Sequence, residues 1–295
     1  MNTLHEGSGP RLRRWWWTGP PAVYLASLAM LILSQVAGQI AGTFFSYAAL
    51  QFIVFLLPII VAAFYVKVVE NVGFWSSTGF SRSPWRKIVA FTLALYFLSF
   101  ALSISLFSVG EYLTPRLPAP VRYDPTAVHT AFKGLPRAAY WYMVFTSVVY
   151  AGFGEELIFR GYLLTRMLRR GKVVAVLASA LTWSSLHLWY LPTLGSTGIW
   201  QHIDVVLTGL LFGVAYLRME TVLPLIAVHA LTDLLLPLSF LFPNGVVDFV
   251  GSVLLILGLL ATSGLLLYWI YRQFLRPRRS SGMKDNSPTL EPPWR

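Results

Sequence analysis

Eight apolar stretches, at roughly 22–44, 47–69, 87–110, 137–167, 173–191, 201–217, 222–240 and 246–271, take up most of this chain. A run of about 20 such residues is long enough to cross a hydrocarbon core of about 30 Å. Inside a bilayer no water satisfies the backbone N–H and C=O groups, so these stretches must fold as helices. The pattern predicts an all-α fold, a polytopic membrane bundle of about eight transmembrane helices. Composition agrees: 56% of residues are hydrophobic and 12% charged, where a soluble domain carries about 25% charged residues. An ordinary soluble enzyme is excluded. The absence of cysteine excludes disulfides, thiolate metal sites and cysteine nucleophiles together.

The net charge of +11 could suggest nucleic-acid binding if the basic residues formed one surface, but they lie between the apolar spans. With the N-terminus inside, 19 of the 23 Lys and Arg residues fall on the cytoplasmic side, Arg160 among them, and only Arg116, Arg122, Lys133 and Arg137 fall outside. This asymmetry predicts an integral membrane protein with both termini cytoplasmic, which in a bacterium would sit in the plasma membrane. The charge is read as topogenic, and no nucleic-acid partner is expected. The first span is too long for a signal-peptide core and reads as an uncleaved anchor, with Trp15, Trp16 and Trp17 forming an interfacial belt beside Arg11, Arg13 and Arg14. The expected organisation is a cytoplasmic N-terminal segment (1–21), N-terminal membrane helices with their loops (22–136), a catalytic helix bundle (137–271) and a basic disordered tail (272–295). Six basic residues in that tail can touch anionic lipid head groups.

Ionisable side chains within a span are costly and mark function by default. They fall in three segments: Glu155, Glu156 and Arg160 in the fourth span, His187 in the fifth, and His229 with Asp233 in the seventh. Glu156 and Arg160 share a helix face at i and i+4, so they can pair, while Glu155 is turned about 100° away. That divides the two carboxylates into one held for structure and one free for chemistry. His229 and Asp233 also stand at i and i+4, so Asp233 could fix the imidazole tautomer. Counting the helical rise from each span's cytoplasmic end places these groups in one slab about 10 Å thick. Interhelical hydrogen bonding, at around 1 kcal/mol each, would account for one histidine but not for this common depth.

A carboxylate in a low-dielectric cavity can take a proton from water and return it to a leaving group. Glu155 is the candidate base, with His187 polarising the same water and His229 and Asp233 stabilising the developing oxyanion or orienting its partner. Glu155, His187 and His229 could equally hold one divalent metal such as zinc, with water in the open position. The His-Glu-x-x-His spacing of soluble metalloproteases is absent, and the sequence leaves both mechanisms open. A Gly-x-Ser-x-Gly nucleophile elbow is also absent.

Taken together, the three segments resemble the CPBP intramembrane proteases, which include the type II CAAX prenyl endopeptidases and the bacteriocin-processing or self-immunity proteins known as Abi. Their signature is Glu-Glu-x-x-x-Arg, then Phe-x-x-x-His, then His-x-x-x-Asn or Asp, on three helices. Glu155-Glu156 with Arg160 matches the first element and His229 with Asp233 the third. Trp183 with His187 matches the second, with tryptophan in place of phenylalanine; a nearby small residue is expected to make room for it. The resemblance covers about residues 140–240. It implies an intramembrane endopeptidase in which Glu155 and His187 activate water, His229 and Asp233 bind the oxyanion, and Glu156 with Arg160 shapes the site. The implied substrate is a membrane-associated or lipidated peptide or protein, approached from the cytoplasmic side.

Two other classes compete. A protein of the same fold could bind membrane peptides, as in immunity, without cutting them; the intact acid and histidine set weighs against this. A proton-coupled transporter would use the same groups as a relay, and would favour repeats and helices broken at mid-membrane, of which Pro224, Pro237, Gly209 and Gly213 are weak signs. The last two form a Gly-x-x-x-Gly pattern that predicts close helix packing. His202, Asp204 and Asp248 lie near outer span ends and read as interfacial.

Overall fold

A computed structural model describes residues 18–40, 44–80 and 84–242. The arginine and tryptophan cluster at 11–17, the eighth span, Asp248 and the basic tail lie outside the described residues. Where backbone groups must bond to one another, helix is the economical solution, and the described chain has no strand. Its long elements are α1 (Gly19–Ile40), α2 (Phe44–Phe64, continuing as a π-helical turn over Tyr65–Val69), α3 (Trp85–Leu113), α4 (Arg137–Thr146, continuing as a π-helix over Ser147–Leu164), α5 (Lys172–Ser185), α6 (Ser196–Met219) and α7 (Leu223–Leu241).

Four helical stretches among the described residues are long and apolar enough to cross a membrane: Phe52–Val69, Trp85–Arg116, Ser196–Met219 and Leu223–Leu241. Gly19–Leu33 and Lys172–Ser185 are shorter apolar helices. The protein is an all-α membrane bundle. Pro224 sits in the first turn of α7 and Pro237 inside it, yet the helix runs on to Leu241 without a break.

The middle of the bundle is α4. Every residue from Glu155 to Leu164 is buried, as expected of a helix surrounded on all sides. One apolar cluster joins Leu95 and Phe97 of α3, Val176 of α5, Phe212 and Tyr216 of α6, and Leu225 and Val228 of α7. A second joins Val23 of α1, Ala62 of α2, Ile158, Phe159 and Tyr162 of α4, and Trp183 of α5. Arg160 is fully buried between these clusters. It is therefore not one of the topogenic surface charges with which its position in the sequence grouped it.

Two glycines set the distances that matter. A Cβ on Gly152 would lie 2.7 Å from the Ala230 Cβ and 3.0 Å from the Ile226 carbonyl, so only glycine lets α4 approach α7 this closely. A Cβ on Gly209 would lie 3.0 Å from Cε3 of Trp183 and 3.2 Å from Ala180. Gly209 is the small residue that makes room for the tryptophan. With Gly213 against Val176, it brings α6 onto α5, as the Gly-x-x-x-Gly pattern anticipates.

Candidate active site

The polar residues of the three segments meet in one cluster. Arg160 donates to Oε1 of Glu156 at 2.9 Å, and both side chains are fully buried. The i,i+4 pair therefore forms, although α4 is π-helical here and turns less than 100° per residue. The Arg160 guanidinium lies over the Trp183 ring at 4.5 Å and the Phe212 ring at 5.4 Å. This stacking suits its weakly hydrated planar cation.

His229 departs from the sequence expectation. Its nearest carboxylate is Glu156, whose Oε1 accepts from Nδ1 at 2.8 Å, and not Asp233, whose Oδ2 stands 3.8 Å from Nε2. Asp233 is within ion-pairing range but too far to hydrogen-bond the ring and fix its tautomer. The close approach of α7 to α4 at Gly152 brings Glu156 nearer to the ring than a residue one turn along its own helix. Glu156 thus joins Arg160 to His229 across two helices. Its neighbour Glu155 points elsewhere, and its Oε2 accepts the indole N–H of Trp183 at 2.5 Å while standing 4.0 Å from His229 Nε2.

His187 also departs from expectation, because α5 ends at Ser185 and not near 191. The Ser184 and Ser185 hydroxyls bond back to the Leu181 and Thr182 carbonyls, offering the backbone an alternative to helix. The chain then tightens into i→i+3 bonds, His187 N–H to Ser184 O at 2.9 Å and Leu188 N–H to Ser185 O at 3.4 Å. Freed from the helix, His187 turns its Nδ1 onto the Trp183 carbonyl at 3.1 Å. A carbonyl can only accept, so Nδ1 carries the proton and Nε2 of the neutral ring carries the lone pair.

Beside the cluster lies a cavity of about 270 Å³, lined among others by Trp183, His187, His229 and Asp233. Glu155 stands just behind this wall, 6% exposed, touching Trp183 and His229. The opposite side comes from α3, through Ser99 and Ser103, and from α6, through Asp204. Ser103 donates to Asp204 at 2.7 Å. Asp204 is therefore also a wall residue of the site. Its place at the helix end gave no hint of this, and only the packing of α3 against α6 and α7 reveals it.

A divalent metal does not fit these side chains. Among the described residues no three His, Asp or Glu groups stand close enough to share an ion. The expected ligand set of Glu155, His187 and His229 is not assembled.

Residues 137–235 match the family model for the type II CAAX prenyl endopeptidase Rce1-like proteins. Over this segment the chain is similar to the Rce1-like family. The segment runs from the first residue of α4 to within α7 and holds all six of Glu155, Glu156, Arg160, His187, His229 and Asp233. The likeness to CAAX-type intramembrane proteases drawn from the three motifs is the one the family model finds. No curated protein and no solved structure matches the chain. The Rce1-like segment does not include α3, which nevertheless completes the cavity wall.

Proposed function

We propose that the protein is an intramembrane endopeptidase that hydrolyses a peptide bond of a membrane-associated or lipidated peptide with a water activated by Glu155 and His187. The observation that carries this reading is the convergence of His187 from the α5 turn with His229 and Asp233 from α7 on one cavity wall, with Glu155 of α4 directly behind it against Trp183 and His229, in a segment similar to a protease family.

Glu155 takes a proton from the water and its oxygen attacks the carbonyl carbon, with His187 Nε2 accepting a hydrogen bond from the same water. The carbonyl oxygen gains negative charge. His229, as imidazolium, donates Nδ1–H to Glu156 and presents Nε2–H to that oxyanion, while the Asp233 carboxylate, 3.8 Å from Nε2, favours the charged ring. As the tetrahedral intermediate collapses, the C–N bond breaks and Glu155 returns its proton to the departing amine. Glu156 and Arg160 do not touch the reacting atoms; they hold His229 at its working angle. The catalytic bundle spans 137–271 and the termini are cytoplasmic, as the charge asymmetry supports.

The test is cleavage of a panel of membrane peptides, with and without a C-terminal lipidated residue, by purified protein in lipid. Wild type is expected to cut, and E155A and H187A to lose at least about 100-fold in rate while remaining folded. Cutting by all three at one rate would show that the chemistry lies elsewhere.

A further inference from the structure

We infer that Trp183 is a positioning residue of this site: its indole N–H holds Glu155 by Oε2 and so directs the other carboxylate oxygen toward the water. The inference rests on the hydrolytic reading above and adds to it a residue that the family signature does not assign, since phenylalanine, its usual occupant, has no N–H to donate.

The indole is clamped. Trp183 is 3% exposed; the Arg160 guanidinium covers its ring at 4.5 Å, and Arg160 is itself tied to Glu156. Gly209 packs against the ring so closely that a Cβ there would come within 3.0 Å. A donor that cannot swing selects one oxygen of a carboxylate and leaves the direction of the second determined.

Trp183 also holds the other half of the water-activating pair. Its main-chain carbonyl takes the Nδ1 proton of His187 at 3.1 Å, and the two rings meet edge to face with centroids 5.0 Å apart. One residue thus orients Glu155 through its side chain and His187 through its backbone. A buried indole N–H satisfies itself on any acceptor. A backbone carbonyl would have served packing alone, whereas the acceptor here is the carboxylate assigned as base.

The test uses full-length protein in lipid nanodiscs with its tryptophans 15N-labelled at the indole. The W183F variant keeps the ring and removes only the donor, and it assigns the Trp183 N–H resonance by its loss. E155Q, offering a neutral acceptor in place of a carboxylate, is expected to move that resonance upfield. With a cleaved peptide, W183F is expected to lower kcat about 10- to 100-fold, the range for a hydrogen bond to a charged group, with KM unchanged and with no further loss in an E155A background. A resonance that E155Q does not move, or a folded W183F with wild-type kcat, overturns the inference. Wild-type protein that cuts no peptide counts against the protease reading alone, because the resonance still reports whether Trp183 holds Glu155.

Discussion

At the scale of single residues, the ionic core is a chain: Arg160 to Glu156 to His229, with Glu155 bonded separately to Trp183. Breaking a fully buried ion pair by removing one partner costs about 3–5 kcal/mol, because the surviving charge is left without its counterion. E156Q is therefore expected to destabilise the folded protein by about that much, read as a lowered unfolding midpoint in lipid. Replacing Glu156 and Arg160 together by leucine and methionine is expected to cost less than E156Q alone. Equal costs would show that the pair contributes little through its charge. The Glu156–Arg160 pair was legible in the sequence because both partners lie on one helix at i and i+4. The partner of His229 was not. The same spacing pointed to Asp233, and only the approach of α4 to α7 brings Glu156 nearer.

At the scale of elements, two short features decide where the proposed catalytic groups stand. Gly152 lets α7 come down on α4, and G152A is expected to push them apart, since its Cβ would lie 2.7 Å from that of Ala230. The expected outcome is loss of most cleavage activity with helical content kept, measured by circular dichroism alongside the peptide assay. Full activity would show that the helix spacing is not critical. The second feature is the turn after Ser185. Hydrophobic periodicity carried the fifth span on to 191, because Leu186, Leu188, Trp189 and Leu191 are as apolar as the helix before them. What ends the helix is local: serine hydroxyls competing for carbonyls and His187 capping Trp183. A hydropathy reading registers apolar character and cannot see this competition.

At the scale of the whole molecule, the site is more than its family segment. Helix α3 lies outside residues 137–235 but supplies Ser99 and Ser103 to the cavity and fixes Asp204. Its contribution was illegible because a membrane helix with serines every few residues reads as lipid-facing or packed with equal ease. The loop after α3 ties down the start of α6: Asp124 N–H donates to the Thr197 hydroxyl at 2.8 Å and the Trp200 indole to the Val121 carbonyl at 2.8 Å.

The Asp124 carboxylate accepts from the Thr126 hydroxyl and N–H, which hold its pKa below the ordinary 3.8. Because the folded value is the lower one, the ordering it supplies is complete above the unfolded pKa and is lost as pH falls through the folded value. Amide exchange over 119–127, corrected for intrinsic rate, is expected to quicken as pH drops from about 5 to about 3, and D124N to remove that dependence. An unchanged exchange profile in D124N would place the ordering elsewhere.

The central claim is that Glu155 of α4 and His187 of the turn after α5, both held by Trp183, act as one water-activating unit. The most direct measurement is the single-turnover cleavage rate of one membrane peptide by wild type, E155A, H187A and the double variant, each verified as folded in the same lipid. Groups that act as a unit lose their effect together. The double variant is therefore predicted to be no slower than the slower single variant. Losses that multiply, or a single variant that cuts at the wild-type rate, would contradict it.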